Sequence, residues 1–400
     1  MRLFPVLTFV TAAVTMALAQ SSSKQIISTG ANPTLPFSPA VKAGGLIYVA
    51  GTIGPANGSI AKGDIKAQTR QTLDNMAATL KAGGSSLANA ASVMVYLRNA
   101  SDFAGMNEVY SSYWPKDPPA RTTVVLPQPL ANADGLIEIS IVAVPDGGER
   151  TVVHPRDWIK SPNPYSYGIK TGNTLFLSGL VSRNGKDNSP VKGDITTQTK
   201  TVLENGGAIL KDAGMSFADV VSSRVFLPDD SAFQAMNTAY RTYFPAMPPA
   251  RATVKAGLSS PDYAIEITMI AVKDTSRTAF TTPNADGSAG TPNPNLSSAI
   301  RVGNRLYLAG ILGNAPSNKG DVKAQTVEAL NRIGRTLKAA GFEWPHVVDG
   351  VVYLPDMTTF QDMNAGYRTV FTKEFPARAT VGTGLMNADA GVEIMFTAVK

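Results

Sequence analysis

The sequence predicts an α+β protein made of three tandem copies of one small module. Three recurring blocks lead there. GDIKAQTRQTLDNMAATLKAGG from Gly63 returns as GDITTQTKTVLENGGAILKDAG from Gly193 and GDVKAQTVEALNRIGRTLKAAG from Gly320. VYLRNASDFAGMNEVYSSYWPKDPPARTTV from Val95 returns as VFLPDDSAFQAMNTAYRTYFPAMPPARATV from Val225 and VYLPDMTTFQDMNAGYRTVFTKEFPARATV from Val352. LIEISIVAV from Leu136 returns as AIEITMIAV from Ala264 and GVEIMFTAV from Gly391. The period is about 130 residues, and self-similarity at a fixed period is the mark of a repeated structural unit.

Each copy follows one local plan. An apolar hairpin opens it, at Leu46 to Gly51, Leu175 to Gly179 and Leu306 to Gly310. A helix then starts at Asp64, Asp194 or Asp321, where a carboxylate can accept the free N–H groups of the first turn, and stops near Gly83, Gly214 or Gly341. Ile65, Leu73, Met76 and Leu80 recur at helical spacing and give it one apolar face. A strand is expected over Val93–Leu97 and a second helix over Phe103–Tyr113. Two strands close the copy, Thr122–Leu126 and Ile137–Val144.

The expected modules span residues 24–145, 158–273 and 292–400, joined by polar connectors Pro145–Lys160 and Asp274–Asn293. Two helices cannot cover both faces of so many strands. The second face of each sheet is therefore expected against the neighbouring copies, in a closed pseudo-threefold body with sheets inside and helices outside.

Composition sets further limits. Apolar residues make up 44% and charged residues 16% of the 400, which suits packed domains and not a disordered chain. The formal charge of +6 is spread thinly, with no basic block interleaved with aromatics, so no nucleic-acid partner is expected. Without cysteine there are no disulfides, thiolate nucleophiles or thiolate zinc sites. The two histidines, His154 and His346, are far apart in sequence, and neither a metal cluster nor a Ser-His-Asp relay is expected.

The N-terminus reads as an address. Arg2, the apolar run Leu3–Leu18 and the small-residue pattern Ala17-Leu18-Ala19 predict a signal peptide over 1–19, and hence a secreted protein. No later stretch reaches the ~20 apolar residues needed to span a bilayer. Triplets at Asn57, Asn99 and Asn295 match the glycosylation acceptor pattern.

Two charged positions recur in all copies. Arg121, Arg251 and Arg378 follow Pro-Ala and open a strand. A guanidinium held at such a turn either clamps a carboxylate bidentately or pins a loop through an internal ion pair. Glu138, Glu266 and Glu393 interrupt apolar strands. A carboxylate there is either paired internally or held with a raised pKa, in reach of a water it can orient. Asn107, Asn237 and Asn364 lie on the second helix, and their amides can donate and accept. Thr123, Thr253 and Thr380 stand two residues past each arginine, as ligand donors or as packing.

At these residues the chain resembles the YjgF/YER057c/UK114 family, also called the Rid (reactive intermediate deaminase) family. The likeness rests on the G-D-I-x-x-Q-T helix start, the Y-L-x-D-x-x-x-F-x-x-M-N-x-x-Y stretch, the P-A-R-x-T turn and the I-E-I strand, and covers nearly all of the expected mature chain. It implies a chorismate-mutase-like module and a homotrimer with ligand clefts between subunits. This chain looks like that trimer fused into a monomer. The resemblance assigns the arginines to a substrate carboxylate and places the glutamates and asparagines at the cleft. It implies hydrolysis of enamines or imines to keto acids and ammonia, without a cofactor.

The copies differ at two further family positions. The tyrosine of the N/G-P-Y-S motif is matched by Tyr165, but Phe37 and Leu296 replace it elsewhere. The serine of the S-G pair is matched by Ser178-Gly179, against Ala50-Gly51 and Ala309-Gly310. Copy two is the most complete, and three equal sites are not expected. The functional expectation is a catalytic pocket for small carboxylates acting on enamines, imines or a specialised metabolite. The rivals are a small-molecule binder without catalysis and, ranked lowest, an endoribonuclease.

Overall fold

A computed structural model describes residues 24–29, 34–54 and 59–400. The expected signal peptide and Asn57 of the first acceptor triplet lie outside the described residues. Module one holds β1 (Gln25–Ile27), β2 (Ala40–Ala43), β3 (Leu46–Thr52), α1 (Ile65–Ala82), β4 (Ala90–Leu97), α2 (Phe103–Tyr113), β5 (Ala120–Val125) and β6 (Ile137–Ala143). Module two holds β7 (Thr151–Val153), β8 (Gly168–Thr171), β9 (Thr174–Leu177), α3 (Ile195–Asp212), β10 (Val220–Leu227), α4 (Phe233–Arg241), β11 (Ala250–Lys255) and β12 (Glu266–Val272). Module three holds β13 (Thr278–Phe280), β14 (Ala299–Val302), β15 (Arg305–Leu308), β16 (Ile311–Leu312), α5 (Val322–Ala339), β17 (Val347–Leu354), α6 (Phe360–Tyr367), β18 (Ala377–Gly382) and β19 (Glu393–Val399).

The three sheets share one strand order. It runs β1-β2-β3-β6-β4-β5 in the first, β7-β8-β9-β12-β10-β11 in the second and β13-β14-β15-β19-β17-β18 in the third, where β16 also pairs with β19. The arginine-bearing strand lies parallel to its neighbour at one edge of each sheet, with Arg121 beside Val93, Arg251 beside Ser223 and Arg378 beside Gly350. The glutamate-bearing strand is central and antiparallel to both its neighbours.

The expected helix signals act as caps. Asp64 accepts from Ala67 N at 2.9 Å, Asp194 from Thr197 N at 2.8 Å and Asp321 from Ala324 N at 2.8 Å. At the other end the left-handed residue is Gly84, Gly214 or Gly341, with φ of 73°, 71° and 78°. α1 is capped at Gly83 as expected, with right-handed geometry at φ −86°, whereas Gly214 and Gly341 stand one residue past the caps Ala213 and Ala340.

The connectors are more structured than expected. Thr151–Val153 pairs antiparallel with Gly168–Thr171, and Thr278–Phe280 with Ala299–Val302. Each extends its sheet as an edge strand. Three residues are too few to show a period of two.

Each module buries one sheet face under its own helices, as where Leu73, Met76 and Leu80 of α1 and Tyr110 of α2 meet Val93, Val95, Ile139 and Ile141. The opposite faces meet one another. Met94, Tyr96 and Val124 of module one share a cluster with Phe226 and Val254 of module two and with Val351, Tyr353 and Val381 of module three. The seams repeat one contact. Ser166 N donates to Pro119 O (3.1 Å) and its Oγ to Pro118 O (2.6 Å). Ser297 makes the same pair with Pro249 O and Pro248 O, and Ser38 with Pro376 O and Phe375 O. Module two thus leans on one, three on two, and one on three. Among the described residues no helix is long and apolar enough to cross a membrane.

Candidate functional site

Each seam joins an arginine of one module to a glutamate of the next. Arg121 faces Glu266, Arg251 faces Glu393 and Arg378 faces Glu138, close enough for each arginine to draw its glutamate's pKa down. All six side chains are buried. Among the described residues none of the three pairs forms an ion pair, so each guanidinium keeps capacity for a ligand.

The arginines are held by the second helix of their own module. Arg121 stacks over Tyr110 at 4.6 Å, Arg251 over Tyr240 at 4.7 Å and Arg378 over Tyr367 at 4.7 Å. Arg251 Nη2 donates to Asn237 Oδ1 at 2.6 Å, and Arg378 Nη2 to Asn364 Oδ1 at 2.8 Å. Nε and Nη1 of Arg251 and Nε of Arg378 are buried without a partner. Asn107 departs from this pattern. Its Nδ2 donates across the seam to Asn163 Oδ1 at 3.4 Å, while Arg121 Nη1 reaches Met106 Sδ at 4.0 Å, as Arg378 Nη1 reaches Met363 Sδ at 3.8 Å.

The glutamates are placed by a glutamine of the first helix. Gln68 Nε2 donates to Asp134 O (3.0 Å) while its Oε1 accepts from Leu136 N (2.7 Å), two residues before Glu138. Gln198 grips Asp262 O and Ala264 N before Glu266, and Gln325 grips Asp389 O and Gly391 N before Glu393. These glutamines sit in the helix-start motif, but only the fold shows that they anchor a distant strand. Burial pushes the carboxyls of Glu138, Glu266 and Glu393 up to about 8 each. A backbone N–H opposes this at Glu138, from Thr380, and at Glu266, from Thr123. Gly179 leaves room for the Glu266 carboxylate, because a Cβ there would collide with its Oε1.

The cleft between modules one and two is lined by Phe103, Arg121, Thr123, Tyr165, Gly179, Val181, Arg183, Ser259 and Glu266, around a cavity of about 40 Å³. It brings Tyr165, Gly179 and Glu266 of copy two together with Arg121 and Thr123 of copy one. Ser178 does not line it. It is fully buried, and its Oγ has no partner. Asn237 and Thr253 lie instead with Arg251, the first as its hydrogen-bond partner and the second two residues along β11. The cleft between modules three and one holds Phe37, Ala50, Glu138, Arg378 and Thr380 around about 450 Å³. Phe37 stands there where Tyr165 stands in the first cleft, with its ring 5.8 Å from Arg378. The hydroxyls of Thr123, Thr253 and Thr380 are all buried without a partner. Sequence reasoning missed Arg183, which has no counterpart in the other copies, and the tyrosines under the arginines, whose signal was their place three residues after each asparagine.

Comparison with known proteins gives the family of the modules. The family model described as Endoribonuclease L-PSP matches residues 29–145, 156–273 and 288–400. A RutC family protein of Sulfurisphaera tokodaii is 45% identical over 114 residues, 28% of this chain and 91% of that protein. The chloroplastic Reactive Intermediate Deaminase A of Arabidopsis thaliana is 38% identical over 108 residues, 27% of this chain and 58% of that protein. A chorismatase crystal structure aligns at TM-score 0.54 and 14% identity over 78% of this chain and 93% of that one, a likeness of fold. With one family model matched three times along most of its length, the chain belongs to the endoribonuclease L-PSP family, also known as YjgF/RutC, as three tandem modules in a single polypeptide.

Proposed function

We propose that the cleft between modules one and two binds a small carboxylate and hydrolyses its imine or enamine to a keto acid and ammonia. The observation that carries this is the facing of Arg121 and Glu266 across one cavity without an ion pair between them. Arg121 offers a planar fork to the substrate carboxylate. The imine carbon then lies between the guanidinium and Glu266. Water adds to that carbon, the C–N bond breaks, and nitrogen leaves as ammonia. Imine plus water thus gives ketone plus ammonia. Glu266, protonated below about pH 8, gives a proton to the departing nitrogen and regains one from the hydroxyl that water supplied. The tautomerised enamine is reactive in water, so holding it beside one water and one proton donor is sufficient catalysis. The relatives named RutC and Reactive Intermediate Deaminase support this class of reaction.

The three modules take the place of three subunits, so the chain is active as a monomer. The cyclic seams through Ser38, Ser166 and Ser297 support that reading. The test is ammonia release from 2-aminoacrylate generated in the assay. Arg121→Ala is expected to remove the catalysed rate while the protein keeps its fold by circular dichroism and its monomeric mass by light scattering. A full rate in Arg121→Ala would sink the proposal. Retained binding of 2-ketobutyrate by a wild-type protein with no turnover would leave only a binding protein.

A further inference from the structure

Arg183 gives the first cleft a second cation. It stands four residues after Gly179, where copies one and three have Pro55 and Asn314. It lines the same cavity as Arg121, Tyr165, Ser259 and Glu266, and it too acts electrostatically on Glu266.

Its side chain is fixed in advance of any ligand. Nε donates to Tyr263 Oη at 2.6 Å and Nη1 to Asn188 Oδ1 at 2.9 Å, with the guanidinium 5.1 Å from the Tyr263 ring centre. The backbone is fixed as well. Arg183 bridges to Pro190, Asn184 N donates to Ser189 O, and Asn205 Nδ2 donates to Arg183 O. The loop that carries it, Gly179 to Gly193, is longer than Gly51–Gly63 and Gly310–Gly320. Copy two alone therefore has both the longer loop and the tethered arginine. Tyr263 and Asn188 are neutral, and among the described residues Arg183 makes no ion pair. Its charge is left uncompensated unless Glu266 or a ligand supplies the counter-charge.

The geometry points to a substrate with two anionic groups: one carboxylate on Arg121 of module one, and a second carboxylate or like anion on Arg183 of module two. This rests on the reading of the cleft as a carboxylate site and narrows its substrate class. Two preset guanidinia in a half-enclosed pocket reward a dianion twice and a monoanion once. A second charge-assisted contact corresponds to a gain of about tenfold or more in affinity. The other clefts lack this second cation at the matching position, so the preference belongs to one cleft.

Calorimetry on the full mature chain tests this with 2-oxoglutarate and 2-oxopentanoate, which match in length and differ in the distal carboxylate. Wild type is expected to bind 2-oxoglutarate about tenfold tighter at low salt. Arg183→Gln is expected to erase that preference by weakening the diacid, with a far smaller effect on the monoacid. Arg183→Lys is expected to retain part of it, which a purely structural role for the side chain would not produce. Equal affinities in wild type, or a preference that survives in Arg183→Gln, would overturn the dianion assignment while leaving the carboxylate site intact. Failure of both acids to bind wild type would remove the underlying site as well.

Discussion

Arg121 and Glu266 lie in different modules, line one cavity and form no ion pair with each other. The glutamate instead accepts from the backbone N–H of Thr123 and keeps a raised pKa, while the guanidinium rests on Tyr110. A direct ion pair would satisfy both groups and close the site. Their separation leaves a cation ready for an anion and a carboxyl ready to exchange a proton.

The pH dependence follows from Glu266. Its pKa of about 8 reflects burial first, so it is neutral at pH 7 and ionises as pH rises through 8. An ionised Glu266 competes with the ligand for Arg121. Affinity for 2-ketobutyrate is expected to be flat from pH 6 to 7 and to fall above about pH 8, and Glu266→Gln should abolish that fall. Calorimetry across this range checks it. The same shift bears on stability. The folded state holds a proton that the unfolded state has released above about pH 4.5, so this contribution is complete below that pH and is lost as pH rises through about 8. Glu138 and Glu393 act in the same direction, and the melting temperature is expected to decline from pH 5 to 9.

Gly179→Ala tests the packing behind the site. The added Cβ meets the Glu266 carboxylate and the Thr122 side chain. Overpacking of this kind costs about 1–3 kcal/mol. Denaturant unfolding should show that loss, and turnover should fall further than stability because Glu266 is displaced. A fully stable and active Gly179→Ala protein would mean that the carboxylate position does not matter.

Tyr165 separates the first cleft from its neighbours. Phe37 and Leu296 replace it, and neither carries a hydroxyl. Tyr165→Phe is expected to lower imine turnover by roughly tenfold, the usual scale for one lost polar contact to a ligand. Ser178→Ala is expected to leave turnover nearly unchanged, since Ser178 is fully buried, does not line the cavity and has no partner for its Oγ. Steady-state kinetics on the two single variants check both statements.

Much of this was legible in the sequence because the repeat prints each signal three times. Asp64, Asp194 and Asp321 read as caps and act as caps. The recurrence of Arg121, Arg251 and Arg378, and of Glu138, Glu266 and Glu393, marked them out without saying which meets which. That pairing crosses from one module to the next, and sequence spacing carries no information about it. Ser178 matched a family position, but the sequence does not show that it is fully buried while its neighbour Gly179 lines the cavity. Arg183 was missed for the opposite reason. It occurs once, so repetition could not mark it, and its meaning comes from Tyr263 and Asn188, which only the fold brings to it.

The central claim is that one cleft, built from Arg121 and the residues around Glu266, is the principal carboxylate site. Calorimetric titration of the protein with 2-ketobutyrate, run in parallel on Arg121→Ala, Arg251→Ala and Arg378→Ala, tests it most directly. The account predicts that Arg121→Ala weakens the tightest binding event by at least about tenfold, while the other two variants retain it. Undiminished tight binding in Arg121→Ala, or equal losses in all three variants, would contradict it.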